Sequence, residues 1–215
     1  PDISESINIY RDIQILSYTN GKLHIPYVNT KRGVELIRDA KKRNLDITAS
    51  SSLAHLIFSD KDINEFNTNL KINPPLRSEI DCNSIKDGLI DGTIDYLTSM
   101  HEPIDIDNKK VVFDLASSGS IGLESVFGNM CNNFTLEKTI DILTRNKSVF
   151  EIEDHPIEKG SHADLTLFNP DKSYVFSNEH ILSTSKNCAY LGTKLKGIVY
   201  GSINNNNSTL NSLWT

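Results

Sequence analysis

Two short stretches hold most of the side chains that could do chemistry. Lys71-Ile-Asn-Pro-Pro-Leu-Arg77 places an amide, Asn73, and a guanidinium, Arg77, on either side of a Pro-Pro pair. Two prolines fix φ twice and remove two backbone donors, so the segment is stiff and extended and keeps Asn73 and Arg77 at a set spacing. A guanidinium is always charged and presents a planar donor fork suited to a carboxylate. The competing use of Arg77 is an internal ion pair with Glu79 or Asp81, and that of Asn73 is a turn before the prolines. Seventeen residues past Arg77, the apolar run Ile94–Met100 ends at His101-Glu102-Pro103. In an α/β barrel, polar groups at the C-terminal end of a strand are where chemistry collects.

Other chemistries find little support. No Ser-His-Asp arrangement, phosphate loop or glycine-rich dinucleotide fingerprint occurs. His24, His55 and His101 stand on different elements with no ligand spacing, which favours packed or hydrogen-bonded histidines over a metal site. His155, His162 and His180 fall in the tail and read as surface residues. Ser117-Ser-Gly-Ser120 reads as a flexible turn.

The elements that must position these groups follow from periodicity. Ile7, Ile9, Ile13 and Leu16 approach helical spacing over residues 5–18, and Asn20-Gly21 ends that helix. Lys22–Val28 has strand length, and Asn29-Thr30 is a cap for a helix over 33–43. Leu45–Ala49 is a second strand, Ser78 caps a helix over 78–90, and Ile94–Thr98 is a third strand. Strand, loop and helix recurring in this order predict parallel β/α architecture. Three such units are too few to close a barrel of about 250 residues. Gly119–Phe127 is expected to be helical, as is Thr135–Thr144, with Leu136, Ile140 and Leu143 on one face. Beyond residue 150, Ala163–Phe168, Tyr174–Phe176 and Gly197–Gly201 make the chain β-rich. Two domains are therefore expected, 1–150 and 151–215.

The 215 residues carry a formal net charge of −6 and a pI near 5.5, with lysines and arginines dispersed. That argues against nucleic acid and anionic membrane as partners. Cys82, Cys131 and Cys188 have neither zinc-ribbon nor disulfide spacing, and no apolar run reaches the roughly 18 residues of a membrane span. Pro1–Glu5 lacks the pattern of a signal peptide. A cytoplasmic protein is the expectation.

Taken together, the motifs resemble those of the cyclic amidohydrolases, and within them the dihydroorotases. That family carries Asn-Pro-Pro-Leu-Arg, complete here at Asn73–Arg77, and a strand ending Thr-Asp-His-Ala-Pro, which stands here as Ser99-Met100-His101-Glu102-Pro103. Lys159-Gly160-Ser-His-Ala-Asp-Leu-Thr-Leu-Phe168 is similar to its Gly-x-x-Ala-Asp-Leu-x-Leu strand, and Leu195–Val199 to its closing strand. The resemblance implies the C-terminal part of a TIM (β/α)8 barrel of the metal-dependent amidohydrolase type, with strands six to eight, followed by β-strands of a small composite sandwich domain. It implies a reaction of pyrimidine biosynthesis, the reversible hydrolysis of the cyclic amide of dihydroorotate to carbamoyl aspartate.

Residue by residue, the resemblance makes Asn73 a contact to the pyrimidine ring and Gly119, with neighbouring Ser118, part of a substrate loop. Arg77 joins them as a carboxylate donor, so the candidate substrate-binding set is Asn73, Arg77, Ser118 and Gly119. The family's sixth-strand ligand is the second histidine of His-x-x-His-x-Ser-Thr. The matching run here is His24-Ile-Pro-Tyr27-Val-Asn-Thr30, so Tyr27 takes that place, and Met100 takes the place of the ligand and base aspartate. A further substrate-contacting histidine of the family is matched by Ile104. A phenol must lose a proton with a pKa of about 10 to bind zinc, and a thioether is neither hard ligand nor base. Hence no catalytic residue and no metal ligand is expected, nor any cofactor, although the family uses zinc. Tyr27 and Met100 are expected to face one cavity, and His24 to point away from Tyr27 by strand alternation. The alternative is a non-catalytic structural or regulatory relative. The partners implied are an upstream N-terminal half of the barrel, a second copy, or a pyrimidine-pathway enzyme such as aspartate carbamoyltransferase.

Overall fold

The structure, a computed structural model, describes residues 1–153 and 155–210. The expected segment 151–215 thus extends past the described residues. By their contacts the residues form two compact units, Pro1–Leu123 with Ser183–Ala189, and Glu124–Leu182 with the chain from Tyr190 onward. In these contacts the division falls at Glu124. The reason is packing: the helix Val126–Asn133 rests on a strand of the second unit rather than on the parallel sheet.

The first unit opens with helix α1, Ile3–Thr19, which Asn20 ends in a left-handed turn. Strand β1, Leu23–Ile25, leads through Thr30, whose hydroxyl caps Gly33 N–H, into α2, Lys31–Lys42. Then come β2, Ile47–Ser52, the short helix α3, Leu53–Ile57, and α4, Glu79–Asp91, capped by a reciprocal Ser78 and Asp81 pair. Strand β3 is Tyr96–Thr98. β1 pairs with β2 and β2 with β3, both in parallel, as the repeated strand-loop-helix order predicts.

Alternation along these strands separates two faces. Ile25, Ile47 and Ala49 are buried, as are Ile9, Ile13 and Leu16 of α1 and Val34, Ile37 and Ala40 of α2. α4 approaches closely at Gly88, where a Cβ would lie 2.9 Å from Ile94 Cγ1. The opposite face is polar: His24 reaches the hydroxyls of Thr48, Ser50 and Tyr96 at 2.9, 3.2 and 2.9 Å and stacks on the Tyr96 ring. At the edge, the Asp95 carboxylate accepts from Ala49 N–H and from Lys41 Nζ, each at 2.7 Å, and so pins the β2–β3 register.

In the second unit α5, Val126–Asn133, and α6, Leu136–Thr144, precede three antiparallel strands, β4, Asp164–Val175, β5, Lys194–Asn204, and β6, Asn207–Leu210. Only the end of the expected helix Gly119–Phe127 is α-helical; Leu123–Ser125 is a 3-10 turn. α5 lies close on β5 because Gly128 has no side chain, a Cβ there falling 2.8 Å from that of Leu195. Phe176, Ile181, Tyr190, Leu195 and Ile198 are buried, as are Met130 and Ile142 of the two helices. Among the described residues no helix is long and apolar enough to cross a membrane.

Candidate functional site

The Asn73–Arg77 segment lies along a groove of about 420 Å³ that Glu5 and Asn8 of α1, Tyr27 after β1, and Asn73 and Arg77 all line. Asn73 is exposed and precedes a cis proline bond to Pro74, and Arg77 is half-buried. Tyr27 has a left-handed backbone, φ 53°. β1 has already ended at Ile25, so the two-residue alternation that would separate His24 from Tyr27 no longer operates. Both residues line this groove, against the expectation that they point apart.

Arg77 makes no ion pair with Glu79 or Asp81. Glu79 pairs with Lys61 at 3.0 Å, while Asp81 caps α4 and accepts from Lys31 N–H at 2.7 Å. Arg77 Nε instead donates to Asn29 Oδ1 at 3.3 Å.

Beneath the prolines runs a buried polar network that motif reading did not find. His55, 2% exposed, lies within 2.8 Å of both the Pro74 carbonyl, through Nε2, and Ser52 Oγ, through Nδ1. Burial holds its imidazole down at a pKa of about 4; the bond to Pro74 opposes that shift and the Arg77 charge adds to it. Fully buried Asn29 reaches the Pro75 carbonyl and Arg77. Its own N–H and the N–H and hydroxyl of Thr30 donate to the Glu5 carboxylate at 3.0 to 3.3 Å. Glu5 thus occupies the N-terminus of α2, where a negative charge suits the orphan amides. Burial nonetheless raises its pKa, with those donors pulling the other way. The signal was present in sequence: two adjacent prolines leave carbonyls that the segment's own amides cannot serve.

Ser118 and Gly119 do not line the groove with Asn73 and Arg77. Gly119 is buried with φ 133°, its N–H donating to the Lys71 carbonyl and its carbonyl accepting from Asn187 Nδ2. A Cβ there would meet Glu102 and Ile104 at 3.0 Å, so close packing explains this glycine without a ligand. Lys109, also buried, donates Nζ to the carbonyls of Thr68 and Ser117, and burial with the Lys71 charge lowers its pKa to about 8. Lys109 and Asn187 together pin the 102–119 loop.

Met100, 6% exposed and also left-handed at φ 49°, follows β3 and is not among the residues that line the groove beside Tyr27, where the two were expected to face one cavity. Among the described residues no three His, Cys, Asp or Glu side chains converge as a metal site would require. The donor set at the ends of β1 and β3, a phenol and a buried thioether, does not fit a zinc ion. Of the tail histidines, His155 and His162 are exposed, whereas His180 is half-buried beside Phe176 and accepts from Ser177 N–H.

The dihydroorotase of Endomicrobium trichonymphae is 38% identical over 205 residues, which are 92% of this chain and 49% of that protein. The chain belongs to the dihydroorotase family. It spans about half the length of the curated relatives it matches. No family model matches it. Among solved structures, the L-hydantoinase (dihydropyrimidinase) of Arthrobacter aurescens superposes with a TM-score of 0.86 at 21% identity, over 98% of this chain and 49% of that one. The inactive dihydroorotase-like domain of the Chaetomium thermophilum CAD-like multifunctional protein does so with a TM-score of 0.66 at 18% identity, over 91% and 53%. The fold is therefore that of the C-terminal part of the amidohydrolase barrel, with three β/α units followed by the strands of the small β-domain.

Proposed function

We propose that this chain is the C-terminal portion of a dihydroorotase-like protein that can orient a cyclic, carboxylate-bearing pyrimidine but does not hydrolyse it through zinc. The observation that carries the reading is the pair Tyr27 and Met100, which stand at the ends of β1 and β3 where the family places a ligand histidine and its ligand and base aspartate. A zinc ion brings the pKa of its bound water from about 15.7 to about 7, and losing it removes several kcal/mol of transition-state stabilisation. Asn73 and Arg77, on one stiff segment beside the groove, can still hold a ligand through an amide and a guanidinium; Ser118 and Gly119 enter the proposed set by resemblance alone, since they do not line that groove.

The edge of β1 that does not face β2 has no strand beside it among the described residues. A parallel strand from an upstream β/α half would pair there, and that half is the first partner we propose. A non-catalytic role, as scaffold or regulator of a pyrimidine-pathway enzyme such as aspartate carbamoyltransferase, is the second reading. The fold shared with a domain described as inactive favours it. The dispersed spacing of Cys82, Cys131 and Cys188 favours a reducing, cytoplasmic setting.

The test is a dihydroorotate turnover assay with added zinc, run beside calorimetry with dihydroorotate and orotate. Binding without turnover is expected; zinc-dependent turnover by the unmodified protein would overturn the proposal.

A further inference from the structure

The Pro74 and Pro75 carbonyls need donors, and neither proline has an N–H with which a neighbouring turn could be closed. The shortest bond that meets this need comes from His55. A carbonyl oxygen only accepts, so the 2.8 Å contact to Pro74 requires a hydrogen on Nε2. In the neutral ring Nδ1 is then bare and accepts the Ser52 hydroxyl hydrogen at 2.8 Å, while Ser52 Oγ also caps His55 N–H. One tautomer satisfies every contact. Asn29 Nδ2 lies 3.4 Å from both His55 Nε2 and the Pro75 carbonyl. Both nitrogens carry hydrogen, so the first approach is packing and the amide hydrogen belongs to Pro75.

We propose that His55 is the positioning residue of the Asn73–Arg77 segment: from the start of α3 it grips the Pro74 carbonyl in one tautomer and, with Asn29, sets the direction in which Asn73 and Arg77 face the groove. His55 does not line the groove, so it acts through the segment and not on a ligand. Ser52, last residue of β2 and N-cap of α3, holds the ring's other side and ties its angle to the parallel sheet. The consequence for ligand affinity rests on the reading of Asn73 and Arg77 given above; the grip on the segment does not.

Three measurements on the intact protein test this. Nitrogen-15 imidazole spectra at pH 7 are expected to show His55 protonated at Nε2 and bare at Nδ1; the other tautomer, or an imidazolium, overturns the proposal. Amide hydrogen exchange over residues 72–78 is expected to rise about tenfold in His55→Leu, since a buried acceptor loses its donor, with β4 and β5 unchanged. His55→Gln, which keeps a donor at similar reach, should restore exchange to within about threefold. Unchanged exchange in His55→Leu refutes the grip. If that variant does not fold, His55→Asn, too short to reach Pro74, takes its place with the same expected rise and the same refuting result. Orotate affinity should fall about tenfold in His55→Leu and recover in His55→Gln. A loosened segment in a protein that never binds orotate would leave the positioning role standing and remove the proposed ligand instead. A loosened segment with orotate affinity unchanged would show that the segment does not set the site, and would refute the proposal.

Discussion

The buried imidazole of His55 makes stability depend on pH in a window that can be worked out. Its pKa is about 4 in the folded chain against 6.5 for a free histidine. Between those values the unfolded chain binds a proton that the folded chain refuses, so stability falls as the pH drops from about 6.5 toward 4 and is fully present above that window. With one proton, the loss between pH 7 and pH 5 comes to about 2 kcal/mol, and about 3 kcal/mol once pH 4 is reached. Glu5 works in the opposite sense. Its raised pKa lets the folded chain take up a proton first, so its contribution is present at acid pH and fades as the pH rises above 4.5. Urea unfolding from pH 7 to pH 4.5 on the unmodified protein and on His55→Gln separates the two, because Glu5 is common to both. The difference in unfolding free energy between the two proteins should shrink by about 2 kcal/mol as the pH falls to 5. Parallel stability curves for the two proteins would refute both the burial and the neutral ring.

Three further outcomes follow from the same geometry. Gly33→Ala should destabilise by about 2 kcal/mol, because its Cβ would sit 2.5 Å from Glu5 Oε1 and 3.0 Å from Ile9 Cδ1. A thermal melt within a degree of the unmodified protein would disprove that crowding. Asn187→Ala removes the acceptor of Ile104 N–H and the donor to the Glu102 and Gly119 carbonyls, at 3.1, 2.9 and 3.2 Å. A loss of about 2 to 4 kcal/mol by urea unfolding is expected, with the 102–119 loop newly open to protease; an uncut loop would argue against the bridge. Tyr27→His and Met100→Asp, introduced together, should be needed before zinc supports any dihydroorotate turnover. Activity restored by either change alone, measured at saturating zinc, would contradict the assignment of both positions.

The residues alone determined the architecture of the first unit. Three apolar runs of strand length, the first two leading through loops to the helices α2 and α4 with side-chain caps at Thr30 and Ser78, leave few alternatives to parallel β/α units, and β1, β2 and β3 pair in that way. The motif Asn73–Arg77 and the substitutions at Tyr27 and Met100 were equally legible, because they depend on residue type and order. What sequence could not supply was direction. Alternation put His24 and Tyr27 on opposite sides, yet β1 stops at Ile25 and a left-handed turn brings Tyr27 into the same groove. Arg77 had two carboxylates nearby in sequence, but both serve other donors and Asn29, 48 residues upstream, takes its Nε. Gly119 has the motif of a substrate loop, and its neighbours Glu102 and Ile104 account for it by packing. Hydrogen-bond partners of buried groups come from whichever chain segments the fold brings together. The donor that the Pro-Pro pair required was therefore predictable as a need, and only the tertiary structure decided that His55 would meet it.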